Sequence, residues 1–178
     1  AGAFMGLLFS IGLIILIHQL DSRVHRVAQI EEIGGTGFLG ALPVFDGGKD
    51  AKPHFMSRFQ EALRIVRTNL SFINPDVDQR TIMVTSPQPQ DGKSTTAYWL
   101  AVSLSQLGKK VLLIDADMRS PSLHGIVGIH RSDGLSDLIV GNISADEAIR
   151  QTEHENVSLI PAGQAIRDPA ESLGSKRF

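Results

Sequence analysis

A Gly-Lys-Ser step at residues 92–94, placed between an apolar run and a helix-length segment, restricts the fold more than anything else in the chain. Thr81-Ile-Met-Val-Thr85 is short, β-branched and apolar, which predicts a buried parallel strand. Ala97 to Leu107 has helical length and composition, and Gly108 is placed to stop it. Lys110 to Asp115 is a second buried-type strand that ends on a carboxylate. Strand, loop, helix and strand in that order predict an α/β fold of the P-loop NTPase type with a parallel sheet.

The loop has the chemistry of a phosphate site. Backbone N–H groups at a helix start carry partial positive charge and bind anions. Gln90, Asp91, Gly92, Lys93, Ser94 and Thr95 form the candidate nucleotide-binding set. Lys93 is placed to reach the β- and γ-phosphates of ATP, and the Ser94 hydroxyl to ligate Mg²⁺. The match to G-x-x-x-x-G-K-[ST] is incomplete, because Pro87 holds the first position and Gly92 is the loop's one glycine. Asp115 and Asp117 follow the second strand, with small Ala116 between them. If the backbone stays extended to 117, both point to one side. Ligands in parallel α/β sheets bind beyond the carboxyl ends of the strands, so both are candidate metal residues with Ser94 and candidate catalytic residues with Lys93. The competing reading for such an aspartate is a cap on the next turn.

Composition excludes some chemistry. The 178 residues carry a net charge of −2, with no basic run to suggest a nucleic-acid partner. There is no cysteine, so disulfides and thiolate metal sites are ruled out. Histidines at 18, 25, 54, 124, 130 and 154 show no metal-site spacing.

Ala1 to Ile17 contains no charge. At about 1.5 Å per residue it spans roughly 26 Å, near the lower limit for crossing a bilayer, and 1–20 is the candidate transmembrane helix. Gly2, Gly6 and Ser10 recur every four residues, a spacing that lets helices approach closely. Arg23, Arg26, Lys49 and Lys52 follow, which places residues after the span in the cytoplasm. Residues 21–52, rich in Gly and Pro turn signals, predict a juxtamembrane linker, and 53–178 a cytoplasmic domain. From His54 to Phe72, Phe55, Phe59, Ala62, Leu63, Val66 and Leu70 fall on one helical face. Glu61, Arg64 and Arg67 land roughly opposite. They read either as a solvated Glu–Arg surface or as a contact to a neighbouring subunit.

Taken together, Asp115-Ala-Asp-Met-Arg-Ser-Pro-Ser-Leu-His124, Gly134-Leu-Ser-Asp-Leu-Ile-Val-Gly141, Leu159-Ile-Pro-Ala-Gly163, Asp168-Pro-Ala-Glu171 and Ser175-Lys-Arg-Phe178 resemble the bacterial tyrosine kinases of exopolysaccharide and capsule synthesis. Partition-type ATPases carry a second lysine where Gln88 stands, which sets them apart from this chain. The resemblance implies that Lys93 and Ser94 bind ATP and Mg²⁺. It implies that Asp115 and Asp117 hold the metal and help deprotonate an attacking tyrosine. It gives Glu61, Arg64 and Arg67 a role in homo-oligomer assembly, so that tyrosine tails of neighbouring subunits reach the site. It places the protein in the bacterial inner membrane, beside the polysaccharide polymerisation and export machinery.

Three departures from the family pattern stand out. Gln90 replaces a frequent glycine, and Trp99 a frequent asparagine. The family's apolar strand ending in Asp-Pro, the Walker B strand, would follow Phe178, as would its tyrosine cluster. Tyr98 is the one tyrosine in the chain. With no initial Met, the stretch is expected to be a fragment and not itself a competent kinase. The expected function of the whole protein is an ATP-dependent tyrosine autokinase that regulates polysaccharide chain length and export. The alternatives are an ATP-sensing co-polymerase module that is not a kinase and a P-loop ATPase that controls assembly.

Overall fold

The computed structural model describes residues 4, 6, 10–13, 37–44, 52–73 and 81–175. The chain divides into two compact units, Ala1–Leu39 and Gly40–Phe178. In the first, residues 4, 6 and 10–13 are helical, and the Ser10 hydroxyl donates to the Gly6 carbonyl at 2.9 Å. Phe4, Ile11 and Leu13 are exposed. Most of the candidate span at 1–20, and of the linker at 21–52, lies outside the described residues. Among those described, no helix is long and apolar enough to cross a membrane.

The second unit opens with helix α1, Lys52–Ile73, slightly longer than the periodicity predicts. Its apolar stripe is buried through Phe59, Leu63 and Val66. Phe59 and Leu63 meet Leu100, flanked by Phe55, Leu70, Leu42 and Trp99. Gly40 approaches α1 closely enough that a Cβ on it would come within 2.9 Å of Val66. Gly40 and Leu42, within the expected linker, thus pack on α1. Glu61 and Arg64 face solvent and pair at 2.9 Å. Arg67 does not join them. It lies four residues after Leu63 and three before Leu70, at the edge of the apolar stripe, so its long stem reaches across to the next helix. Its guanidinium donates to the Ser103 carbonyl at 2.6 Å and hydroxyl at 3.1 Å.

Helix α2, Lys93–Ser105, is covered on two sides. Leu100 packs towards α1, while Tyr98, Ala101 and Val102 pack on the sheet. Gly108 ends the helix in a left-handed conformation, φ 75°, where a side chain would be strained. Strand β1, Val111–Ile114, follows. Three short helices come next: α3 (Leu123–Val127), α4 (Leu135–Val140) and α5 (Ala145–Ala148). Strands β2 (Arg150–Gln151) and β3 (Val157–Ile160) and helix α6 (Pro169–Leu173) complete the described fold.

The sheet order is β1-β3-β2. β1 and β3 are parallel, with Leu113 opposite Leu159, but β2 runs antiparallel to β3. The sheet is mixed, which corrects the expectation of a parallel one. Five residues join β2 to β3, enough for a hairpin return but too few for a parallel crossover. Asn156 adopts φ 63° in that turn. Residues 81–85 also depart from expectation: they form no strand, and Met83 is 86% exposed. An apolar run becomes a strand only where a ladder partner covers its backbone, and among the described residues none pairs with it. On β1, Leu113 is buried against α2, whereas Leu112 and Ile114 are 45% and 44% exposed on the other face.

Beyond β3 the chain is clamped by Asp137. Its carboxylate accepts N–H bonds from Gly134 and Gln164 at 3.0 and 3.2 Å. A Cβ on Gly134 would collide with the Pro161 carbonyl, so this close approach requires glycine.

Candidate functional site

The loop before α2 is shaped by its own polar groups. Asp91 accepts the Gln88 N–H at 3.0 Å, and the Ser86 hydroxyl donates to the Gln88 carbonyl at 2.8 Å. Asp91 thus folds the loop through its side chain, a use the sequence did not reveal. Gly92, the N-cap, has φ 84°, and no side chain caps the helix. The Thr96 N–H bonds to the Gly92 carbonyl at 2.8 Å, which leaves the earlier N–H groups, at 93–95, without intrahelical acceptors. Such an uncapped helix start attracts an anion.

Gln90 sits at φ 66°, in the left-handed region where glycine is at ease and other residues are strained. The position thus retains the backbone conformation that glycine would favour. Gln90→Val should weaken nucleotide binding about ten-fold, because a β-branched residue resists this φ, whereas Gln90→Gly should leave it within about two-fold. Fluorescent-ADP titration measures both, and equal affinities for the two variants would exclude a backbone requirement at 90.

At the carboxyl end of β1, Asp115 extends the ladder by donating its N–H to the Ile160 carbonyl at 3.0 Å. The chain then turns. Asp117 N–H bonds back to the Asp115 carboxylate at 3.2 Å, and Met118 N–H to the Ala116 carbonyl at 3.0 Å. The extended geometry therefore does not persist to 117, and the two carboxylates are used differently. Asp115 is 3% exposed and also accepts the Ser122 and Leu123 N–H groups, at 3.2 and 3.1 Å. It caps α3, the competing reading for a strand-end aspartate. Burial raises its pKa; the three N–H donors oppose that, and the charge of Asp117 adds to it. Asp117 keeps 29% of its side chain exposed and pairs with the Lys93 ammonium at 3.3 Å.

Lys93, Ser94, Asp115 and Asp117 are brought together through one further residue that sequence reasoning missed. The Ser122 hydroxyl donates to the Ser94 hydroxyl at 2.7 Å, while the Ser122 N–H holds Asp115. The available signal was a helix start just after Pro121, where an N-cap serine would sit. Among the described residues no three His, Asp or Glu side chains gather as a metal cage. The donors present, one hydroxyl and two carboxylates beside an uncapped helix start, suit a hard divalent cation that brings phosphate oxygens with it.

This is the site of a P-loop α/β protein, a class built to hold a nucleotide with a divalent metal. A family model described as an AAA domain matches residues 79–176. The tyrosine-protein kinase YwqD of Bacillus subtilis is 39% identical over 116 residues, covering 65% of this chain and 49% of that protein. Two solved structures are also similar. The chimerical protein CapA2B2 has a TM-score of 0.75 at 32% identity, over 86% of this chain and 67% of that one. The BceF tyrosine kinase domain has a TM-score of 0.73 at 30% identity, over 86% and 68%. The chain belongs to the bacterial tyrosine-protein kinase family. It spans about half the length of YwqD.

Proposed function

We propose that the protein to which this chain belongs is an ATP-dependent tyrosine autokinase that regulates exopolysaccharide or capsule chain length and export. The carrying observation is the Lys93–Asp117 contact of 3.3 Å beside the uncapped start of α2. It puts a phosphate-seeking cation and an accessible base at one point. The N–H groups of the loop and of residues 93–95 would cradle the phosphates, with Lys93 moving from Asp117 to the β- and γ-oxygens. Ser94 and the two aspartates suit Mg²⁺, which when bound neutralises developing phosphate charge. Asp117, released from Lys93, takes the tyrosine hydroxyl proton as the phenolic oxygen bonds to the γ-phosphorus and ADP leaves. Asp115, held by three N–H groups, fixes the turn that carries Asp117.

The acceptor is a tyrosine that reaches the site from outside the described fold. Tyr98 is buried in α2, packed against Trp99 and His154, with its hydroxyl 3.5 Å from Glu153. Burial and that carboxylate raise its pKa, which disfavours the phenolate. We assign the acceptor to the tyrosine tail of a neighbouring subunit. Mixing wild-type with Lys93→Met protomers tests this: phosphotyrosine on the Lys93→Met chains supports transfer between subunits, and its confinement to wild-type chains contradicts it.

In the same reading, the uncharged segment at 1–20 anchors the protein in the bacterial inner membrane, 21–52 links it, and 53–178 lies in the cytoplasm beside the export machinery. The exposed, helical apolar residues at 4, 11 and 13 support the anchor. Glu61 and Arg64, both exposed, support a subunit contact through α1. Arg67, tied to Ser103, supports that contact by holding α1 in place. Arg64→Ala should shift the light-scattering mass towards monomer with unchanged melting temperature. Arg67→Ala should itself lower stability by about 1–2 kcal/mol, having lost a charged donor to a helix carbonyl. An unchanged oligomer in Arg64→Ala would remove that residue from the contact.

A further inference from the structure

Ser122 stands at the N-cap of α3, where a serine oxygen ordinarily accepts an N–H from the first turn. It makes no such bond here. The Asp115 carboxylate has taken the Ser122 and Leu123 N–H groups instead, leaving the serine hydroxyl free of capping. That hydroxyl lies 2.7 Å from the hydroxyl of Ser94, 28 residues earlier in the chain. Asp115 and Ser94 are thereby fixed relative to each other through a single residue.

A serine oxygen offers a lone pair to a cation most effectively when its own proton is directed elsewhere. Hydroxyls rotate, and each can donate or accept, so the Ser94–Ser122 bond can reverse without moving a heavy atom. We infer that Ser122 is a positioning residue for the Ser94 hydroxyl, accepting its proton so that a lone pair faces a divalent cation. The inference rests on the nucleotide-site reading given above. Ser122 does not touch the nucleotide or the reacting tyrosine in this role; it acts through Ser94.

Titrating the intact protein with fluorescent ADP at graded Mg²⁺ concentrations tests the role. Ser122→Ala should raise the Mg²⁺ concentration for half-maximal binding about five-fold, the size expected for one lost hydrogen bond. Binding in EDTA and the melting temperature should match wild type, since the hydroxyl caps nothing. Ser122→Thr, which keeps the hydroxyl, should restore the wild-type Mg²⁺ dependence. A Ser122→Ala protein equal to wild type at every Mg²⁺ concentration overturns the inference. So does a lowered melting temperature with unaltered Mg²⁺ dependence, which would make Ser122 a packing link between α2 and α3. The titration reads no phosphorylation, so failure of the kinase reading and failure of the Ser122 role are separately visible. A wild-type protein that binds no nucleotide overturns both.

Discussion

Lys93→Met is expected to reduce tyrosine phosphorylation by about 100- to 1,000-fold while the protein stays folded. The structure places the ammonium at the mouth of the loop, 3.3 Å from Asp117. Methionine keeps most of the apolar stem of lysine, one atom shorter, and removes the charge with its N–H donors. The charge lost is the one that would stabilise the transferring phosphoryl group, so the effect falls on transfer. Stability should change by less than about 1 kcal/mol, because both partners keep 29% of their side chains exposed and such pairs contribute little. Undiminished phosphotyrosine in Lys93→Met, read by blot, would remove Lys93 from catalysis.

The two aspartates should separate in a way that their similar spacing conceals. Asp115→Ala should cost about 2–4 kcal/mol, because three backbone N–H groups lose their buried acceptor. For a chain of this size that is a fall of roughly 5–15 °C in melting temperature. Asp117→Ala loses one N–H bond, from Ser120, and a half-open ion pair, so it should stay within about 1 kcal/mol of wild type. Both should lose phosphorylation. Thermal melts of the two variants measure the difference, and equal melting temperatures would contradict the capping role of Asp115.

The pH dependence carries a definite sign. Burial raises the Asp115 pKa, so the ionised form is the penalised one in the folded protein. That penalty is absent below the unfolded pKa and complete above the folded one. Asp115→Asn has no such term and should compare more favourably with wild type as pH rises through the window between them.

Elements whose stability is local were legible in the sequence. The stripe from Phe55 to Leu70 and the Gly-Lys-Ser start with its Gly108 stop each specify a helix through adjacent residues. β1 was equally plain, being apolar and bounded by Lys110 and Asp115. What escaped depends on partners distant in the chain. Thr81 to Thr85 has the composition of a buried strand, yet strand formation requires a neighbour that composition does not supply. Arg67 looked like a surface charge because helical periodicity places the Cα and not the end of a flexible guanidinium. Ser122 lay inside the Asp115–His124 stretch with no role of its own, and its importance appears only when Asp115 claims the cap that serine would normally make. Asp115 and Asp117 looked alike for the same reason: spacing reports proximity, while burial and donor count show that Asp115 also caps α3 and that Asp117 stays open to solvent.

The most direct test of the kinase reading is to incubate the intact wild-type protein with ATP and Mg²⁺, then quantify phosphotyrosine by mass spectrometry alongside the ADP released. Phosphotyrosine accumulating with ADP, and absent from Lys93→Met, is the expected result. ADP release without phosphotyrosine would contradict the kinase account and return the protein to the class of assembly ATPases.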